Sequence, residues 1–193
     1  MMQVKSWTIK ELLSVSTDYL KEKHIDSPRL TAEVLLAFQL NLNRVKLYLN
    51  LDLPLNDSEV SGYRELIRRR LQREPLQYIT GVQEFWSLDF QVDPRVLIPR
   101  PETELLVEQA KERIKDAPGT GGHSIKILDL GTGSGALAVT LAKEIQEARI
   151  WATDISPEAI ELARLNAERH NISDRIEFRQ GNLFHALREP NIT

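Results

Sequence analysis

The stretch "KILDLGTGSGALAVTLAKE", residues 126–144, constrains this chain more than any other. It joins a short apolar run to three glycines at alternate positions and then to a helical pattern. Ile125, Ile127, Leu128 and Leu130 predict a strand buried on both faces, and Leu137, Val139, Leu141, Ala142 and Ile145 predict the apolar side of a following helix. Glycine between them permits a tight turn and a close backbone approach to a ligand. The alternation then repeats. "ARIWATD" reads as a second strand, "SPEAIELARLNAERHN" as a helix with Ser156 as N-cap and Pro157 at its first position, and "RIEFRQGN" as a third strand. The fold class is therefore α/β, a βαβαβ half of a doubly wound sheet.

Two ligands fit such a half. Gly131, Gly133 and Ala136 satisfy the loose dinucleotide pattern, and Asp154 ends the next strand, where an acid accepts hydrogen bonds from ribose hydroxyls. On spacing alone the choice is open. Asp129, two places before the first glycine, tips it, because a carboxylate is a poor neighbour for pyrophosphate and a good one for a cation. S-adenosyl-L-methionine carries a sulfonium and an α-ammonium and no phosphate. "DLGTGSG" thus resembles the first motif of class I methyltransferases, with Asp129 pairing the ammonium; the blander reading is that Asp129 only caps the loop.

Composition narrows the class. The 193 residues are 41% hydrophobic with net charge −3, enough for one large or two small cores. The absence of cysteine excludes disulfides and thiol catalysis. No apolar run is long enough for a membrane span, and "MMQVKSWTIKELL" reads as an amphipathic helix start without signal-peptide regions, so the cytoplasm is the expectation. His24, His123, His170 and His185 are scattered without carboxylate partners at ligand spacing, and no metal site is expected. Slight acidity argues against non-specific nucleic-acid binding.

The chain before residue 76 is helical in pattern. Thr8 and Glu11 form a capping-box pair before Leu12, Leu13, Val15, Tyr19 and Leu20. Ser27 and Pro28 open a second helix, a short third follows Asn43, and a fourth is capped by Asn56 or Asp57 and stops before Pro75. Arg68, Arg69, Arg70 and Arg73 gather at the end of the fourth helix, where positive charge suits the helix dipole better than it signals a partner-binding patch. Next, Tyr78, Ile79, Val82, Phe85, Leu88, Phe90 and Val92 suggest short strands, a hairpin punctuated by Gly81 and Asp93-Pro94. Pro99 and Pro101 bracket Arg100, and a helix begins near Glu102. The expected organisation is a helical domain over 1–75, a β-hairpin linker over 76–100 and the sheet over 101–193.

The strings "GVQEFWSLDFQVDPRVLIPRPETE", "LDLGTGSG", "ATDISPEAIELARLNAERH" and "GNLF" together resemble the protein-(glutamine-N5) methyltransferase family that modifies class I peptide chain release factors. The resemblance runs from the helical domain to Phe184, and "IPRPETE" joined to the glycine motif at this distance is its most specific part. It implies a class I methyltransferase Rossmann-like sheet, of which the N-terminal half is present, behind a helical domain that recognises substrate.

The resemblance also implies roles. Gly131, Thr132, Gly133, Ser134 and Gly135 wrap the methionine part of S-adenosyl-L-methionine, and Asp154 holds the ribose. Asn182 and Leu183 lie against the adenine, the alternative for Leu183 being a buried strand end. Glu102 and Thr103 stand beside the cofactor and the substrate entrance, or merely supply the acid that a helix N-terminus favours. Phe85 and Trp86 border the substrate channel, although aromatic hairpin residues more commonly pack between domains.

The implied reaction moves the sulfonium methyl to the side-chain amide nitrogen of the glutamine in a Gly-Gly-Gln tip. That nitrogen is a weak nucleophile, so catalysis rests on alignment and on acceptors for its N–H groups. In the family those acceptors belong to an Asn-Pro-Pro-Tyr segment, which does not occur in this sequence. No catalytic residue is therefore assigned, and the expectation is a shortened gene product or a proteolysed fragment with weak cofactor binding and no transfer. The partner expected is a release factor, with no direct nucleic acid, no membrane, and a monomeric complete enzyme. Two other readings stay open: an amino-group methyltransferase acting on a nucleic-acid base, and a non-catalytic protein-binding module.

Overall fold

In the computed structural model, which describes residues 7–116 and 125–187, the chain divides into two compact units, Met1–Thr80 and Gly81–Thr193. The first unit is helical: α1 (Ile9–Glu22), α2 (Pro28–Gln39), α3 (Arg44–Leu49), α4 (Asp57–Leu71) and α5 (Leu76–Thr80). Thr8 and Glu11 close a capping box at α1, and Asn56 and Glu59 close another at α4. Asn43 caps α3 through the Lys46 N–H at 2.8 Å. Ser27 does not cap α2 by its side chain; it sits at φ +48° and Pro28 opens the helix. Leu13, Leu20, Leu35, Leu36 and Tyr63 fill the core. Glu33 is buried there, accepting from Arg29, Arg44 and Tyr48.

Two expectations are settled in this unit. Tyr78 and Ile79 are helical, not strand: both N–H groups donate to the Pro75 carbonyl at 3.1 Å, and burial of Ile79 against the helices overrides its β preference. The arginines at and just after the end of α4 are engaged within the unit. Arg68 pairs with Glu65, Arg69 with Glu74, Arg70 donates to the Glu74 carbonyl and Arg73 to the His24 carbonyl.

The second unit begins with an antiparallel hairpin, β1 (Val82–Phe85) and β2 (Leu88–Gln91), turning at Trp86 and Ser87 with φ of +52° and +57°. A 3₁₀ turn at Pro101–Thr103 leads into α6 (Glu104–Asp116). Then β3 (Ile125–Leu130), α7 (Ala136–Glu144), β4 (Ala148–Asp154), α8 (Pro157–Arg169) and β5 (Ile176–Gln180) form a parallel sheet of order β3-β4-β5. Ser156 caps α8 through the Ala159 N–H at 3.1 Å.

One core gathers Ile150, Ile176 and Phe178 of the sheet with Val139 and Ala142 of α7 and Ala163 of α8. Phe85 and Phe90 join it, so the hairpin that the sequence reads as a linker packs with the sheet unit. β3 departs from expectation: Asp129 is buried while Lys126 and Leu128 are exposed. The helices α6, α7 and α8 pack on the face of Ile127 and Ile150, and Leu128 and Trp151 point to the other side, so among the described residues the strand is covered on one face only.

His24 and His185 are exposed, and the His170 ring lies 5.2 Å from that of Phe90. His123 and the first six residues, where the sequence begins its amphipathic pattern, lie outside the described residues. No described helix is long and apolar enough to cross a membrane, and no three metal-binding side chains gather among the described residues.

Candidate functional site

The parallel strands all deliver their carboxyl ends to one rim, where open α/β sheets bind ligands. The turn after β3 is held from beneath by β4: the N–H groups of Gly131 and Thr132 donate to the Thr153 carbonyl at 2.8 and 2.9 Å. Asp154, ending β4, accepts the Gly133 N–H at 2.9 Å and the Ser156 N–H at 3.0 Å. Gly181, after β5, donates to the Asp154 carbonyl at 2.8 Å, which sets Asn182 and Leu183 beside that acid.

The glycines divide into two jobs. Gly131 and Gly133 have φ of +77° and +54°, and a Cβ on either would meet nothing within 4 Å, so their bare faces front open space. Gly135 turns inward: its Cβ would stand 3.0 Å from that of Ala163, so its smallness lets α7 approach α8. Ser134 and Thr132 are buried, and the Thr132 hydroxyl donates to the Asp129 carboxylate at 2.7 Å.

Asp129 is 8% exposed, and burial pushes its carboxyl above the usual range, against the hydrogen bonds from Thr132 and the Ala138 N–H. It thus braces the loop and also borders the cleft. A buried acid whose charged form is disfavoured gains most from a cationic ligand.

A cleft of about 260 Å³ runs along this loop, walled by Asp129 and Gly131 to Ser134 on one side and by Leu97 to Arg100, Thr103 and Leu106 on the other. Leu97 and Leu106 are exposed at its mouth. Thr103 faces the cleft from the 3₁₀ turn; Glu102 is exposed beside it and does not line it. Asn182 and Leu183 are exposed, with Leu183 at 58% and φ +47°, so the buried strand-end alternative for Leu183 is not what the chain adopts.

The two aromatic residues proposed for the substrate channel are occupied elsewhere. Phe85 is 1% exposed, its ring 6.1 Å from Phe90 in the second unit's own core. Trp86 lies under the Lys111 ammonium, and its backbone N–H donates to Glu104 at 2.8 Å.

The sequence reading missed the Leu97–Arg100 wall and Asn166. Asn166 is fully buried on α8 and bonds both Gln91 and Ser134. Its signal was there: Ala159, Ile160, Leu162, Ala163 and Ala167 form a buried stripe, and an asparagine falling on such a stripe needs buried partners.

Among known proteins, the model described as PrmC N-terminal domain matches residues 11–81, and one described as methyltransferase domain matches residues 122–191. The release factor glutamine methyltransferase of Chlorobaculum tepidum is 47% identical over 92% of this chain and 60% of its own length. That of Geobacter sulfurreducens is 48% identical over 94% of this chain and 61% of its own, and that of Rhodopirellula baltica 41% over 97% and 62%. The helical unit, the glycine loop and the strand-end acids thus all fall within the stretch that these relatives match, and the chain is similar to the release factor glutamine methyltransferases, spanning about three fifths of the length of the curated relatives it matches.

Proposed function

We propose that this chain is the cofactor-binding part of an enzyme that methylates the side-chain nitrogen of a glutamine in a Gly-Gly-Gln tip of peptide chain release factors. The observation that carries the reading is the joining, along one cleft, of two open-faced glycines with Asp129, one of those glycines, Gly133, being bonded through its N–H to Asp154 at the end of the next strand. The residues fit S-adenosyl-L-methionine: Asp129 for the ammonium, Gly131 to Gly135 for the methionine chain, Asp154 for the ribose hydroxyls, and Asn182 with Leu183 for the adenine. Arg100, on the opposite wall, offers a counter-charge to the amino-acid carboxylate. When bound, this cofactor supplies a sulfonium methyl open to attack by a nucleophile.

What the chain's own residues contribute is alignment. Backbone amides fixed to Thr153 keep the loop from shifting, and the Thr103 side of the cleft admits the substrate beside Glu102. The leucines at the mouth supply apolar surface for a protein loop. The complete enzyme acts in the cytoplasm as a monomer, on a protein and not on nucleic acid.

Calorimetric titration of the chain with S-adenosyl-L-methionine and separately with NAD tests this reading. Binding of the first alone is expected. Binding of NAD alone, or of neither, overturns it.

A further inference from the structure

Asn166 has no exposed surface, and its carboxamide is divided between two segments distant in sequence. Oδ1 accepts the Gln91 N–H at 2.7 Å, while Nδ2 donates to the Gln91 carbonyl at 3.0 Å and to the Ser134 carbonyl at 2.8 Å. Both amide hydrogens are therefore used. Toward Gln91 the side chain behaves as the peptide group of a neighbouring strand, exchanging a donor and an acceptor with one residue at the end of β2.

These two attachments are the roots of the two cleft walls. Gln91 ends the hairpin, and the chain leaving it reaches Leu97 to Arg100 within a few residues. Ser134 lies in the glycine loop that forms the other wall. We infer that Asn166 is a positioning residue that fixes the separation of the two walls and so sets the cleft to its cofactor. The inference rests on the cofactor reading above and assigns a role to a residue that touches neither cofactor nor substrate.

The alternative is that Asn166 only satisfies buried backbone groups and so serves stability alone. The two roles separate experimentally. Asn166→Asp keeps the shape and can still accept from Gln91, but it cannot donate and sets a negative charge against two carbonyls. Ile172→Ala lowers stability within the same core, since Ile172 has no polar side-chain group to hold either wall.

The chain, each variant and Asn166→Ser, which shortens the side chain without adding charge, are compared by calorimetry with S-adenosyl-L-methionine well below the melting temperature. Amide hydrogen exchange at Gln91 and at Gly131 to Gly135 is followed in parallel. Asn166→Asp is expected to weaken binding by about tenfold or more and to speed exchange at both walls. Ile172→Ala is expected to leave affinity within about threefold despite a comparable fall in melting temperature. Equal weakening by both variants, or unchanged affinity in Asn166→Asp, overturns the inference. If the unaltered chain does not bind the cofactor, the cofactor reading falls. Exchange alone then judges the clamp: unchanged exchange at the glycine loop in Asn166→Asp overturns it, and faster exchange at both walls supports it. If the Asp substitution does not fold, Asn166→Ser decides by the same two readouts.

Discussion

At the scale of single residues, the glycine loop separates open space from packing space. Gly133→Ala adds a methyl that meets no atom, so its stability cost is the backbone strain of a positive φ, about 1–2 kcal/mol, while the methyl intrudes on the cleft and cofactor affinity falls. Gly135→Ala carries the same strain and in addition drives a Cβ to 3.0 Å from Ala163, so about 2–4 kcal/mol is expected. Urea unfolding of the two variants measures the difference, and equal losses would contradict the division of roles. Asp129 gives a second contrast. Its burial disfavours the charged form, so Asp129→Asn is expected to raise the unfolding midpoint at neutral pH while weakening S-adenosyl-L-methionine binding. The residue types of this loop were legible in the sequence. Their division was not, because the approach of Ala163 to Gly135 is made by a helix that follows β4.

Among the elements, local rules decided the most. The capping boxes at Thr8 and Asn56 and the Ser156 cap fall where the side chains predict them, since each bond spans three residues. Asn56→Ala is expected to lower stability by about 1 kcal/mol in thermal unfolding. The hairpin turn is less well matched to its sequence: Trp86 and Ser87 both hold positive φ, a conformation that glycine and asparagine adopt more easily. Ser87 is exposed, so Ser87→Gly removes strain without removing a contact, and a gain of about 0.5–1 kcal/mol is expected. A loss in denaturant unfolding would show that the turn is held by more than its backbone. Trp86 stays in this conformation because Lys111 and Glu104 hold it from two positions.

Across the whole molecule, the two units carry buried acids of opposite habit. Burial alone would raise Glu33, but hydrogen bonds from Tyr48, Arg29 and Arg44 outweigh it and hold the carboxyl below its ordinary 4.5. Its contribution to the helical unit is present above pH 4.5 and is lost as pH falls through the lower folded value. Asp129 is raised above its ordinary 3.8, so the second unit loses stability as pH rises from 3.8 toward the folded value, and this group favours folding on acidification. Hydrogen exchange across pH 3 to 6 is therefore expected to show the amides of α2 opening first in acid, and Glu33→Gln, about 1–3 kcal/mol less stable at neutral pH, is expected to flatten that response.

The sequence by itself determined most of the segments that become helices and strands, where most helices start, and where the glycine turn falls, because periodicity, caps and glycine spacing express forces acting within a few residues. Only the tertiary structure decided that Phe85 serves the core, that Tyr78 and Ile79 are helical, that Arg73 donates to the His24 carbonyl, and that Asn166 joins residues 75 and 32 positions away. Those outcomes depend on which buried polar and apolar groups meet after the chain has folded, and a group's partner across the fold leaves no mark on its neighbours in the sequence.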